Sequence, residues 1–170
     1  MVLGPLHGAP YAPRPPGRFP TWSATSAADI SVTIVYFDSG AFVKLLVEEA
    51  GSELAAQLWD GCDAAVSSRL AYPEVRAAVA AAGRAGRLEP QELRRADAAW
   101  AEFWAATRAV ELTEAVAVHA GDFAGRYSLC GADAVHLASL FAIGADGTLF
   151  AVWDERLRAG AAAAGVHLVP

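Results

Sequence analysis

A run of β-branched and aromatic residues, Val32-Thr33-Ile34-Val35-Tyr36-Phe37, stops on Asp38-Ser39 and gives way at once to helical spacing, with Ala41, Phe42, Leu45 and Leu46 on one face. An unbroken apolar run of this length suits a strand buried on both faces, as in a parallel sheet, better than a half-exposed one. A strand that leads directly into a helix is the opening of a β-α unit, and it puts Asp38 at the carboxyl end of the strand. In open α/β sheets that edge is where ligands bind.

The pattern repeats along the chain. After a helix to about Val47, Leu54, Leu58 and Trp59 mark a second helical segment, and Ala64–Ser68 is a short candidate strand whose serines can cap the next helix. Pro73 is tolerable only in a first turn, which sets that helix start near Ala71. Residues 74–106 read as an alanine-rich helical hairpin broken at Gly83, Gly86 and Pro90, with Trp100, Phe103 and Trp104 as core positions of its second arm. Residues 109–112 are a candidate strand, 114–127 and 132–143 candidate helices, and 148–153 and 166–169 candidate strands. Strands alternating with helices predict an α/β fold with a mostly parallel central sheet covered on both faces.

Residues 1–31 hold six of the nine prolines and no apolar periodicity, so they are expected to form a disordered Pro/Gly-rich extension, with one folded domain over 32–170. At 55% hydrophobic residues the chain can fill one core. Two cysteines, Cys62 and Cys130, make neither a disulfide framework nor a paired zinc site; they read as core residues of a protein in a reducing, cytoplasmic setting. No apolar run approaches the roughly 20 residues that span a bilayer. The net charge of −6 argues against a broad basic nucleic-acid surface, so any such partner must be held locally.

Four carboxylates sit at strand ends or helix starts where the pattern offers few solvated positions. Asp38 ends the first strand. Glu74 lies in the first turn of a helix that follows a strand. Asp133 opens the apolar segment Asp133-Ala134-Val135-His136-Leu137-Ala138, and Asp154 stands at the end of Leu149-Phe150-Ala151-Val152-Trp153, repeating the design of the opening stretch. Helix capping or the helix dipole explains each of the first two equally well. Jointly, acids gathered at one sheet edge would repel and raise one another's pKa unless a cation neutralises them. An all-oxygen site of this kind suits magnesium or manganese. His136 reads as a buried histidine satisfying a core hydrogen bond.

Four segments, Tyr36–Leu45, Ser67-Ser68 with Glu74, Asp133–Ala138 and Trp153–Leu157, together resemble the PIN-domain ribonucleases, specifically the toxin component of VapBC toxin–antitoxin pairs. The resemblance runs over residues 33–170 in the family's order and rough spacing. It implies a three-layer α/β/α PIN-like fold and a metal-dependent endoribonuclease using Mg2+ or Mn2+, with Asp38, Glu74, Asp133 and Asp154 as the metal-binding acids and Ser39 as the hydroxyl residue beside the first of them. Asp38 and Asp133 are expected as direct ligands, and Glu74 and Asp154 as direct or water-mediated ones. Two positions depart from the family pattern: Val152, where threonine or serine is common, and Gly40, where a small non-glycine residue is usual.

The implied partners are an RNA substrate, a cognate VapB-like antitoxin and a second copy of the chain in a homodimer. Ser39 is expected to orient a water or phosphate oxygen, or else to cap the helix it opens. With eleven basic and eighteen acidic residues over 32–170, RNA must be steered by a patch. The candidates are Arg84, Arg87, Arg94 and Arg95 at the hairpin bend and Lys44, Arg69 and Arg76 nearer the acids. The alternative is a catalytically silent PIN-fold interaction module whose acids serve as caps or ion-pair partners. A phosphohydrolase with Asp38 as nucleophile would want a second aspartate where Gly40 stands.

Overall fold

The computed structural model describes residues 32–170, so the extension expected over residues 1–31 lies outside the described residues. Among the described residues five strands, β1 (Ile34–Phe37), β2 (Ala64–Ser68), β3 (Arg108–Val110), β4 (Thr148–Ala151) and β5 (Leu168–Val169), lie in the order β3-β2-β1-β4-β5. Every neighbouring pair is parallel, with Tyr36 opposite Val66 on one side and Phe150 on the other. Seven helices cover them: α1 (Ser39–Leu46), α2 (Ser52–Gly61), α3 (Ala71–Arg84), α4 (Pro90–Ala106), α5 (Glu114–Tyr127), α6 (Gly131–Ile143) and α7 (Glu155–Ala163).

The period of two along β1 sorts its side chains into two cores. Val35 and Phe37 face α1–α4, where Phe42, Trp59, Trp100 and Phe103 are buried with them. Tyr36 faces the other way, with Val66, Phe150 and Val152, into a second core filled by Leu137 and Leu140 of α6 and Leu157 of α7. A sheet apolar on both faces and covered on both faces is the expected three-layer α/β/α arrangement. Among the described residues no helix is long and apolar enough to cross a membrane.

The direction of chain travel reverses between β1 and β4. From β1 the chain moves outward through β2 to β3, then returns across the sheet to β4 and on to β5. Strand ends on either side of such a reversal splay their following loops apart and leave a crevice. The backbone N–H of Asp38 still donates to the Ala151 carbonyl at 3.3 Å, so β1 and β4 are held together up to that crevice.

Several local expectations shift. The strand expected over 109–112 forms over Arg108–Val110, and the last strand shrinks to Leu168–Val169. Helix α7 has no counterpart in the periodicity reading, because it buries only Leu157, Gly160 and Ala161 and is otherwise small and polar. It forms because Asp154 caps it, accepting from Leu157 N at 2.9 Å, and because alanine favours helix. Ser67 and Ser68 do not cap α3: Ser67 Oγ donates sideways to the Phe37 carbonyl at 2.7 Å, and Ser68 Oγ accepts from Leu70 N just ahead of the helix.

Candidate active site

Three consecutive strands of the sheet, β4, β1 and β2, deliver three of the four acids to one edge. Asp154 follows β4, Asp38 follows β1, and Glu74 stands in the first turn of α3, which follows β2. The fourth, Asp133, is in the first turn of α6, a helix that packs against β2. Both aspartates at strand ends are helix caps as well: Asp38 Oδ1 accepts from Ala41 N at 2.6 Å and opens α1. Capping and gathering at the sheet edge are therefore one placement, since a strand that turns directly into a helix puts its capping side chain at the carboxyl edge.

The acids differ in surroundings. Asp38 is 4% exposed, and burial pushes its carboxyl up to about 6, with the charges of Asp154 and Glu74 adding to the rise and His136 and the Ala41 N–H opposing it. Glu74 is half-buried; burial pushes its carboxyl up, but hydrogen bonds from His136 and Ser39 outweigh this and hold it below the usual carboxylate range. Asp133 is half-buried and Asp154 exposed, and both line an open cleft of about 700 Å³ together with Cys130, Glu155 and Arg156.

Among the described residues no three His, Cys, Asp or Glu side chains close around a point as a ready metal cage. What the edge offers is a set of carboxylates, Asp133, Asp154 and Glu155 lining the cleft and Asp38 buried beside Asp154 in the field of its charge, where it resists ionisation. Hard oxygen donors of this type fit a magnesium or manganese ion, which binds through one or two carboxylates and keeps several of its waters. Zinc, whose protein sites are built mainly on Cys and His, suits them less well.

Ser39 does not cap α1, because Asp38 does. Its hydroxyl donates to Glu74 Oε2, and its Oγ lies 3.2 Å from His136 Nε2. His136 is 3% exposed, with Nε2 2.9 Å from Glu74 Oε2 and Nδ1 3.1 Å from the Tyr36 hydroxyl. It is thus the buried, hydrogen-bonded histidine expected, but its partners include one of the candidate acids. Tyr36 and this use of His136 were missed in the sequence. The signal was their spacing: Tyr36 shares a strand face with Asp38 two residues on, and His136 shares a helix face with Asp133 three residues before.

One further expectation needs correction. Cys130 is not a core residue: it is exposed, and its sulfur accepts from Asp133 N at 3.5 Å at the mouth of α6. Of the basic residues expected near the acids, Lys44 pairs with Glu49 at 2.8 Å, Arg76 with Asp97 at 3.1 Å, and Arg69 with Glu111. Each is engaged with a neighbouring carboxylate. Arg84, Arg87, Arg94 and Arg95 are exposed around the α3–α4 bend, and Arg156 stands in the cleft itself.

The family described as PIN domain matches residues 35–162. Two proteins of Mycobacterium tuberculosis, Ribonuclease VapC45 from strain CDC 1551 / Oshkosh and Ribonuclease VapC49 from strain ATCC 25618 / H37Rv, are each 61% identical to the chain over 137 residues, covering 81% of it and 95% of their own length.

Proposed function

Because the chain belongs to the PIN-domain family, we propose that it is a metal-dependent endoribonuclease, the toxin component of a type II toxin–antitoxin system. The observation that carries this reading is the pair of aspartates closing adjacent parallel strands, Asp38 after β1 and Asp154 after β4, at the point where the sheet reverses direction. Asp154 shares its cleft with Asp133, and Asp38 lies within the field of Asp154 and Glu74. The 61% identity to two ribonucleases supports extending their activity to this chain.

Asp38 and Asp133 would hold the cation directly, and Glu74 and Asp154 would bind it directly or through water. A bound Mg2+ or Mn2+ supplies Lewis-acid polarisation of the phosphodiester and lowers the pKa of the attacking water. Asp38, Asp133, Asp154 and Glu155 make the edge a poor host for a polyanion until that charge is balanced, so cation binding and RNA binding are coupled. Ser39 and His136 fix one oxygen of Glu74, which keeps this acid from turning toward solvent. Arg156, in the same cleft, supplies a guanidinium that can pair with a phosphate in bidentate fashion.

The partners follow from the same reading: an RNA substrate, a small VapB-like antitoxin that shields the cleft, and a second copy of the chain in a homodimer. RNA and antitoxin both place the protein in the cytoplasm.

The test is cleavage of a structured RNA by the purified full-length chain with Mg2+, with Mn2+ and with a chelator. Cleavage should need the ion, and Asp133→Asn should abolish it while leaving the circular dichroism spectrum unchanged. A fully active Asp133→Asn protein refutes the assignment. Partner binding by a chain that cuts no RNA would instead favour the silent interaction module.

A further inference from the structure

The four side chains Tyr36, His136, Ser39 and Glu74 come from β1, α6, α1 and α3, yet they form one continuous hydrogen-bonded chain. The two ring nitrogens of His136 face different partners. A carboxylate can only accept, and Oε2 of Glu74 is the oxygen that both the Ser39 hydroxyl and the His136 ring face. The ring atom facing it at 2.9 Å, Nε2, must therefore carry a proton. In a neutral imidazole Nδ1 is then the acceptor, and it faces the Tyr36 hydroxyl at 3.1 Å. The Tyr36 hydroxyl, the group that faces Nδ1, is able to donate to it. Ser39 spends its own hydroxyl proton on Glu74 Oε2 and shares the Nε2–H.

We infer that His136 is a positioning residue: the Tyr36 hydroxyl fixes its tautomer, and its Nε2–H, with the Ser39 hydroxyl, commits Glu74 Oε2 to the protein so that a cation meets Glu74 through Oε1 alone. The inference rests on the metal-dependent reading above and deepens it. A carboxylate oxygen with two donors has little capacity left, so Glu74 becomes a one-oxygen ligand, directly or through a water. His136 is 3% exposed and has both ring nitrogens engaged, which leaves it no route to act as a general base toward a substrate. Partners that orient a metal-ligating carboxylate typically matter by about 10–100-fold in metal affinity.

The experiment combines metal-free NMR with Mn2+ titration of the full-length chain. In metal-free protein at pH 8, long-range ¹H–¹⁵N spectra should show His136 protonated at Nε2 and not at Nδ1. His136→Leu should weaken Mn2+ binding about 10–100-fold. His136→Gln, whose amide nitrogen can occupy the place of Nε2, should recover most of that loss, and Tyr36→Phe should show a smaller weakening in the same direction. A merely structural histidine would lower stability in these variants without ordering their Mn2+ affinities this way. A proton on Nδ1, or wild-type Mn2+ affinity in a folded His136→Leu, overturns the positioning role alone. Should His136→Leu not fold, the NMR tautomer and the Tyr36→Phe titration still decide. Absence of Mn2+ binding by the wild-type chain overturns the nuclease reading and this inference with it.

Discussion

The carboxyl group of Asp38 feels the charge of Glu74 across the sheet edge, yet the two are driven in opposite directions: burial lifts Asp38 to about 6, while the donors Ser39 and His136 hold Glu74 low. For Asp38 the Ala41 N–H and His136 offset burial only in part, whereas for Glu74 two side-chain hydrogen bonds outweigh it. The protein thus carries an electrostatic cost at Asp38 that an added positive charge would relieve.

Stability of the metal-free protein should reflect that cost. The folded state binds the Asp38 proton more tightly than the unfolded chain, whose value is the ordinary 3.8, so this group's penalty is absent below about pH 4, grows as pH rises toward 6, and is constant above. The full penalty is about 3 kcal/mol. Glu74 works the other way, stabilising above its ordinary 4.5 and losing that contribution as pH falls through its lowered value, which leaves the interval from 4.5 to 6 to Asp38. Asp38→Asn keeps the α1 cap and removes the charge. In chelator at pH 7.5 its Tm should be about 5–10 °C above wild type, with the gain shrinking by pH 4. Thermal melts at the two pH values check this, and a lower Tm at pH 7.5 contradicts it.

Gly51 ties a backbone requirement to the site. It has φ +95°, and a Cβ there would stand 2.5 Å from Trp153 Nε1, one residue before Asp154. Gly51→Ala should cost about 1–3 kcal/mol from the left-handed backbone alone. Displacement of Trp153 should add to this and weaken Mg2+-dependent cleavage by moving Asp154. Urea denaturation and a cleavage assay read the two effects, and Gly51→Ala combined with Trp153→Ala should recover part of the stability lost to the clash.

Trp59 anchors the larger core, with the rings of Phe37, Phe42 and Phe103 at 5.6, 6.2 and 4.8 Å. Trp59→Ala should cost about 3–5 kcal/mol. The indole N–H is buried without a partner among the described residues, so Trp59→Phe should cost far less, about 1 kcal/mol, because it removes an unsatisfied donor along with the lost volume. Chemical denaturation of the pair separates cavity from polar effects.

Replacing the exposed Arg94 and Arg95 with glutamine should weaken RNA binding without changing Tm. If both contact phosphates of a single strand, the slope of log K against log salt should become about 1.4 less steep. A large loss of affinity with an unchanged slope would mean that these residues act other than through phosphate charge.

The sequence was most legible where one local signal decided one local outcome. The run from Val32 to Phe37 and the helical spacing after it were enough to place β1 and α1, and the same pattern at Leu149–Asp154 placed β4 with its acid. It was least legible at α7, where capping and alanine content replace apolar periodicity, and at the serines before α3, whose hydroxyls answer to neighbours in space. The ion pairs of Arg69 and Arg76 could not be read from the sequence because their carboxylate partners are set by packing. For Arg69 and Arg76 those partners, Glu111 and Asp97, lie in later segments of the chain.

By itself the sequence determined a strand-to-helix alternation and put acids at the ends of strands, because hydrophobic period and capping chemistry act over a few residues. Only the tertiary structure decided that β4 lies beside β1, so that Asp154 joins Asp38 at one edge, and that His136 reaches Glu74 and Tyr36 from 62 and 100 residues away. Those outcomes depend on which strands pair and which helix face turns inward, and that choice is made by burial of the two cores as a whole.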